Sequence, residues 1–251
     1  MKILVVGSGG REHAIAWHLS SEGADVRVAP GNGGTSPNVP LQALDVVGLA
    51  DHASRERIDL TIVGPEAPLA TGLVDHFTSR GLKVFGPTRL AARLEWSKAW
   101  TKDFLRRHHI PSGAAEVVTG EADVRRVVAR VGVPVVLKAD GLAGGKGVFV
   151  VTSADQLDSA LEQLFGLGEA ASSVLVEEYL EGPELSVLAF TDGERLAVMP
   201  PARDYKRLLD DDRGPNTGGM GGYTWPTYVN PSLVDEIHTQ VLLPTLVGMQ
   251  S

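Results

Sequence analysis

Along the first hundred residues the hydrophobic positions come in short, largely apolar runs, each ending at a glycine- or proline-rich turn. Ile3–Val6 is apolar throughout and predicts a buried strand. It runs into Gly7–Gly10, after which Ala14, Ile15 and Leu19 fall on one side of a predicted helix. Val26–Ala29 predicts a second strand, ending at Pro30-Gly31-Asn32. Leu60–Val63 predicts a third, ending at Gly64-Pro65, and Leu82–Phe85 a fourth, ending at Gly86-Pro87. Leu73, Val74 and Phe77 mark a helix over Gly72–Arg80. Largely apolar strands alternating with helices predict an α/β fold with a parallel sheet covered on both faces. Ligands of such sheets bind outside the carboxyl ends of the strands, where these turns lie.

A second unit follows. Trp100 and Phe104 share a face of a helix expected over Ser97–His109 and stopped by Pro111. Strand Val135–Leu137 leads into the glycine-rich stretch Lys138–Gly147, and Val148–Val151 returns as a strand. A helix over Asp155–Phe165 and strands at Val174–Val176 and Leu185–Phe190 are expected next. Asp204–Tyr223 reads as a long polar loop, and Ser232–Met249 as a helix containing Pro244. The boundary is expected within residues 90–110, giving domains of 1–99 and 100–251.

Composition narrows the classes. The chain has 251 residues, 43% of them hydrophobic, enough for a sizeable core in one large domain or two ordinary ones. A net charge of −8 argues against coating nucleic acid or anionic membrane. The absence of cysteine excludes disulfides and thiolate chemistry, and fits a reducing cytoplasm. No run approaches the ~18 apolar residues of a membrane span. The first apolar run is read as a strand, not a signal peptide. The seven histidines show no metal-ligand spacing.

Three segments carry candidate chemistry. Gly7-Ser8-Gly9-Gly10-Arg11-Glu12 approaches a dinucleotide fingerprint, but Glu12 stands at the third glycine and no acid ends the second strand. An anion site helped by Arg11, or a tight turn with no ligand, both fit. Lys138–Gly147 places Gly141, Gly144, Gly145 and Gly147 between two apolar strands, with Lys138 and Lys146 near the ends. It is not a Walker loop, since Gly147 replaces the hydroxyl that would touch magnesium. It reads as a flexible lid over a nucleotide or as an ordinary hairpin, and the lysines favour phosphate. Glu177, Glu178 and Glu184 follow an apolar strand and suit a nucleoside or a solvated turn. Arg203–Gly222, rich in glycine and cations, suits an anion-handling loop.

Taken together, these blocks resemble the phosphoribosylamine–glycine ligase family. The match runs through Gly7–Ala14, Ala29–Asn32, Val63–Leu69, Phe85–Thr88, Lys138–Ala143 with Gly145–Gly147, and Gly214–Gly221. The resemblance implies a Rossmann-like (pre-ATP-grasp) N-terminal domain and an incomplete ATP-grasp domain, with a lid over about residues 115–190. It implies ATP-dependent joining of glycine to 5-phosphoribosylamine through glycyl phosphate, in the purine biosynthesis of the cytoplasm. Lys98, Lys138, Gly144, Gly145, Lys146 and Gly147 would meet ATP phosphates; Glu177 and Leu180 would lie at adenine and Glu184 at ribose, with Glu178 also among the ATP-binding residues. Gly9, Gly10, Arg11 and Glu66 would hold phosphoribosylamine. Asp204, Lys206, Arg207, Asn216, Gly218 and Gly219 would surround glycine and the acyl phosphate. Tyr205 departs from the family's histidine. Family members also continue into strands whose Glu and Asn hold Mg2+ or Mn2+. The chain is therefore expected to lack metal ligands and to have little or no activity alone, while the full-length form is expected to be a monomer.

Overall fold

The computed structural model describes residues 1–250 except Leu142, Gly144, Gly145, Asp212 and Gly218, and gives only the backbone of Pro215 and Asn216. The chain divides into two compact units, Met1–Trp96 and Ser97–Ser251.

The first unit is a parallel sheet. Its elements are β1 (Lys2–Gly7), α1 (Gly10–Ser21), β2 (Asp25–Pro30), α2 (Val46–Glu56), β3 (Leu60–Val63), α3 (Glu66–Ala70), α4 (Leu73–Ser79), β4 (Val84–Phe85) and α5 (Arg93–Trp96). The strand order is β2-β1-β3-β4, all parallel. Period-two alternation splits β1: Ile3 and Val5 pack with Ala16, Val26 and Val28, while Leu4 and Val6 pack with Leu49, Leu73 and Phe77. Both faces of β1 are therefore dry, as its unbroken apolar run predicts. Helix α2 escapes the sequence reading because Gly48 interrupts its apolar stripe. Asp45 starts it, its carboxylate accepting from the Gly48 N–H at 2.9 Å. The fourth strand is shorter than expected, Val84–Phe85 only.

The second unit is built on an antiparallel sheet. Helix α6 (Lys98–Arg107) precedes β5 (Ala115–Val118), α7 (Glu121–Val131), β6 (Val135–Ala139), β7 (Val148–Val151), α8 (Leu157–Phe165) and β8 (Val174–Glu178). The order is β5-β8-β6-β7. Val124, Val127 and Val128 of α7 and Leu161 and Leu164 of α8 cover one face, against Val135, Leu137, Val151, Val174 and Val176. On the other side α6 lies against β8.

Two expectations are corrected beyond β8. The strand expected at Leu185–Phe190 is β9 (Ala189–Thr191), paired with β10 (Leu196–Val198). The supposed loop Asp204–Tyr223 carries strands: β11 (Ala202–Asp204) pairs β14 (Gly222–Thr224), and β12 (Arg207–Leu209) pairs β13 (Arg213–Asn216). Glycine-rich polar sequence hides these ribbons because their pairing uses backbone groups, with little apolar burial to mark the pattern. The terminal helix is α9 (Pro231–Ile237) and α10 (Leu243–Met249), separated by a π turn over His238–Leu242. Pro244 has no N–H to give and crowds the carbonyl four residues earlier, which the wider turn accommodates. Among the described residues no helix is long and apolar enough to cross a membrane.

Candidate functional site

The centre of the second unit is a carboxylate held by two lysines. In the antiparallel pairing of β6 and β8, Val136 faces Glu177 and Lys138 faces Leu175. Lys138 and Glu177 are thus diagonal neighbours on the face opposite the α7–α8 core. Lys138 Nζ lies 2.5 Å from Glu177 Oε2 as a charge contact, and Lys102 Nζ lies 2.5 Å from Oε1. Lys102 also donates to Ser112 Oγ at 2.5 Å and Gly113 O at 2.8 Å. Glu177 is buried, which works against its charge, yet the two ammonium groups outweigh burial and hold its pKa below the ordinary carboxylate value.

Lys102 is the residue the sequence reading missed. It sits one turn beyond Lys98 on α6, an i,i+4 spacing that places both on one helix face and was legible. Asp140 ties that helix to the glycine stretch: its Oδ1 accepts from the Ala99 N–H at 2.8 Å, and its carbonyl accepts from Lys98 Nζ at 3.5 Å. The Ser97 hydroxyl caps the same helix end, accepting from the Trp100 N–H at 3.3 Å. Lys98, Lys102, Lys138 and Glu177 therefore gather around the junction of α6, β6 and β8. In the glycine stretch, Gly147 O accepts from the Ala139 N–H at 2.8 Å, and Lys146 is exposed. Gly144 and Gly145 lie outside the described residues.

The other expected nucleotide residues differ in placement. Glu178 points away from Glu177 along the strand, and its Oε2 accepts from the Ala114 N–H at 3.0 Å. Leu180 is exposed and borders Gly113 near Glu177 Oε1. Glu184 pairs with Lys206, whose ammonium is also 3.4 Å from Asp204 Oδ2. Burial disfavours the Lys206 charge, but Glu184 and Asp204 outweigh it and raise its pKa.

The ribbons split the expected glycine-side set. Asp204 and Lys206 turn toward Glu184, and Asp204 Oδ1 is buried without a hydrogen-bond partner. Arg207 turns the other way, joining Arg203, Tyr205 and Met220 around a cavity of about 540 Å³, and donates to Gly214 O at 2.8 Å. Arg203 lies over the Tyr205 ring, 5.5 Å from its centroid. Asn216 pairs with Arg207 through backbone, and its side chain lies outside the described atoms. The Gly219 N–H donates to Thr217 Oγ1 at 3.1 Å, and Gly218 lies outside the described residues. Among the described residues no group of three or more His, Asp or Glu side chains is placed to hold a metal ion.

In the first unit, Gly9, Gly10, Arg11 and Glu66 all lie at the carboxyl ends of β1 and β3. Gly9 caps α1 and donates its N–H to Glu12 Oε2 at 2.6 Å. Arg11 Nη1 donates to Gly64 O at 2.7 Å. Glu66 opens α3 and is half-buried.

Two family models cover the chain. Residues 1–95 match the N domain of phosphoribosylglycinamide synthetase, and residues 96–251 match its ATP-grasp (A) domain. The chain is 46% identical over 260 residues to the phosphoribosylamine–glycine ligase of Ralstonia nicotianae, covering 100% of this chain and 61% of that protein. It is 48% identical over 259 residues to the enzyme of the same name from Allochromatium vinosum, covering 99% of this chain and 60% of that protein. The crystal structure of phosphoribosylamine–glycine ligase from Thermotoga maritima superposes with a TM-score of 0.80 at 32% identity, covering 100% of this chain and 61% of that one. The chain thus spans about 60% of the length of the curated relatives it matches.

Proposed function

The chain belongs to the phosphoribosylglycinamide synthetase family, and from that premise we propose that its second unit binds ATP and that the protein serves the ligation of glycine to 5-phosphoribosylamine. In this reaction a glycine carboxylate oxygen attacks the γ-phosphorus and ADP leaves. The amine nitrogen then attacks the acyl carbon of glycyl phosphate and inorganic phosphate leaves, giving glycinamide ribonucleotide.

The observation that carries the reading is the Lys102–Glu177–Lys138 cluster beside the glycine stretch. Phosphoryl transfer needs cations fixed before the charge develops. Glu177 restrains two ammonium groups in one place, and Asp140 anchors the helix that carries a third, Lys98. Lys98, Lys102 and Lys138 would meet phosphate oxygens, with Gly144–Gly147 closing over them. Glu177 and Leu180 would border adenine and Glu184 the ribose, with Glu178 beside them on β8. Asp204, Lys206 and the Asn216–Gly219 stretch would lie at glycine and the acyl phosphate, with Arg207 reaching them only through the cavity side. Gly9, Gly10, Arg11 and Glu66 would take the amine. An acyl phosphate hydrolyses, so exclusion of water by the glycine stretch would protect it.

A magnesium ion bound with the nucleotide would shield the phosphate charge in such a reaction. The second reading is a nucleotide-binding chain without turnover. The test is ADP release in the presence of glycine and phosphoribosylamine. Release requiring both, with glycinamide ribonucleotide as product, supports the first reading. A different acid or amine would mark another carboxylate–amine ligase, and ATP binding without release would support the second reading.

A further inference from the structure

In the first unit β1 lies between β2 and β3, so the connection reverses direction across β1. The crevice outside the carboxyl ends of β1 and β3 is the switch point where ligands of such sheets bind. One side chain floors it. Glu12 is only 4% exposed, and its Oε2 accepts from the Gly9 N–H at 2.6 Å. Its other oxygen, Oε1, receives no hydrogen bond from any described residue. That oxygen lies against Gly64, in the space where a side chain on Gly64 would begin. Gly7, at φ +132°, clears the same carboxylate from the β1 side. Two strand-end glycines thus make room for an acid at the position where a dinucleotide turn has its third glycine.

We propose that Glu12 makes this crevice a site for a ligand presenting hydrogen-bond donors, an amine or sugar hydroxyl, to Oε1, and closes the α1 N-terminus to phosphate. The first turn of a helix attracts anions through its unpaired N–H groups. Here the chain supplies its own anionic group: the carboxylate takes the Gly9 N–H, one of the donors a phosphate would use. Oε1, on a residue only 4% exposed and without a partner among the described residues, is by contrast left open to a donor. Arg11 is exposed and tied by one nitrogen to Gly64 O, which leaves its other guanidinium nitrogens to meet a ligand's anionic end. A phosphorylated sugar seated with its hydroxyls or amine inward and its phosphate at the rim satisfies both. The inference rests on the reading of this unit as the amine-substrate site, and supplies the orientation and the residue that sets it.

The test is calorimetry with ribose 5-phosphate and with inorganic phosphate, on the whole chain and on Glu12→Gln. Glutamine keeps the helix-capping acceptor but turns an N–H2 toward the crevice. The expected result is that ribose 5-phosphate binds the parent chain and that the variant weakens it about tenfold or more, while inorganic phosphate gains nothing from an intact Glu12. Absence of ribose 5-phosphate binding, equal affinity in both proteins, or inorganic phosphate bound as tightly as the sugar would each overturn the proposal. Thermal unfolding verifies that the variant folds. Glu12→Asp, which keeps the charge and withdraws it by one methylene, is the second variant and should also lose the sugar. Nucleotide binding is read on the other unit, so its failure leaves this result interpretable.

Discussion

Lys138 Nζ lies 2.5 Å from one oxygen of Glu177 across a strand diagonal, and Lys102 Nζ lies 2.5 Å from the other. The side chains of the two lysines are 29% and 17% exposed and that of Glu177 is 9% exposed, so the cluster is screened from water on the carboxylate's side. A buried acid with two partners tolerates the loss of one far better than the loss of both. Lys102→Met and Lys138→Met should each cost about 1–2 kcal/mol of folding stability. The double variant should cost more than the sum, by about 1 kcal/mol or more, because only then is the carboxylate unpaired. Urea unfolding of the four proteins measures the coupling, and strict additivity would contradict the account.

The same cluster sets an acid limb. Burial opposes the charge on Glu177, the two lysines outweigh it, and the folded pKa lies below 4.5. A carboxyl depressed by folding stabilises the protein above its unfolded pKa, and that stabilisation is lost as pH falls through the folded value. Stability of the second unit should therefore drop below pH 4.5. Glu177→Gln should flatten that limb while lowering the plateau above it. Denaturant midpoints across the acid range decide this.

His52 gives the first unit a separate pH signature. Burial lowers its pKa from 6.5, Arg55 and Arg27 add to the effect, and Glu56 opposes it. Its Nε2 is buried without a hydrogen-bond partner. The unfolded chain therefore binds a proton that the folded unit resists, and stability should fall as pH drops below 6.5. His52→Gln should remove this slope. Chemical unfolding followed by amide exchange within residues 1–96 resolves it from the acid limb of Glu177.

Gly64→Ala tests the packing around Glu12. A methyl group there would overlap Oε1, so either the helix cap opens or β3 shifts. The expected cost is about 1–2 kcal/mol, the range of a lost cap, confined to the first unit. Gly10→Ala is the control, since a methyl group there meets nothing within 4 Å. Equal stabilities would contradict the placement of Glu12.

The strands that position these groups were legible because burial on both faces writes itself as an unbroken apolar run at Ile3–Val6, and as a largely apolar one at Leu60–Val63, where only Thr61 interrupts. The glycine stretch after Val135–Leu137 was equally plain. What the sequence hid has physical causes. The ribbons within residues 202–224 are held by backbone pairing between exposed or half-exposed residues, which leaves no hydrophobic period to read. Lys102 carried no motif, and only its helical spacing from Lys98 could have marked it. Glu12 was read as a departure from a dinucleotide turn, and its carboxylate contact with the Gly9 N–H emerges only when β1, α1 and β3 come together.

The central claim is that the α6–β6–β8 junction of the second unit holds ATP. Calorimetric titration of ATP into the chain and into Lys138→Ala, with and without magnesium, tests it most directly. The account predicts saturable binding by the parent chain and a loss of about tenfold or more in the variant, the scale of one charged hydrogen-bonding partner. A folded parent chain that takes up no ATP, or a variant that binds it as tightly, would contradict it.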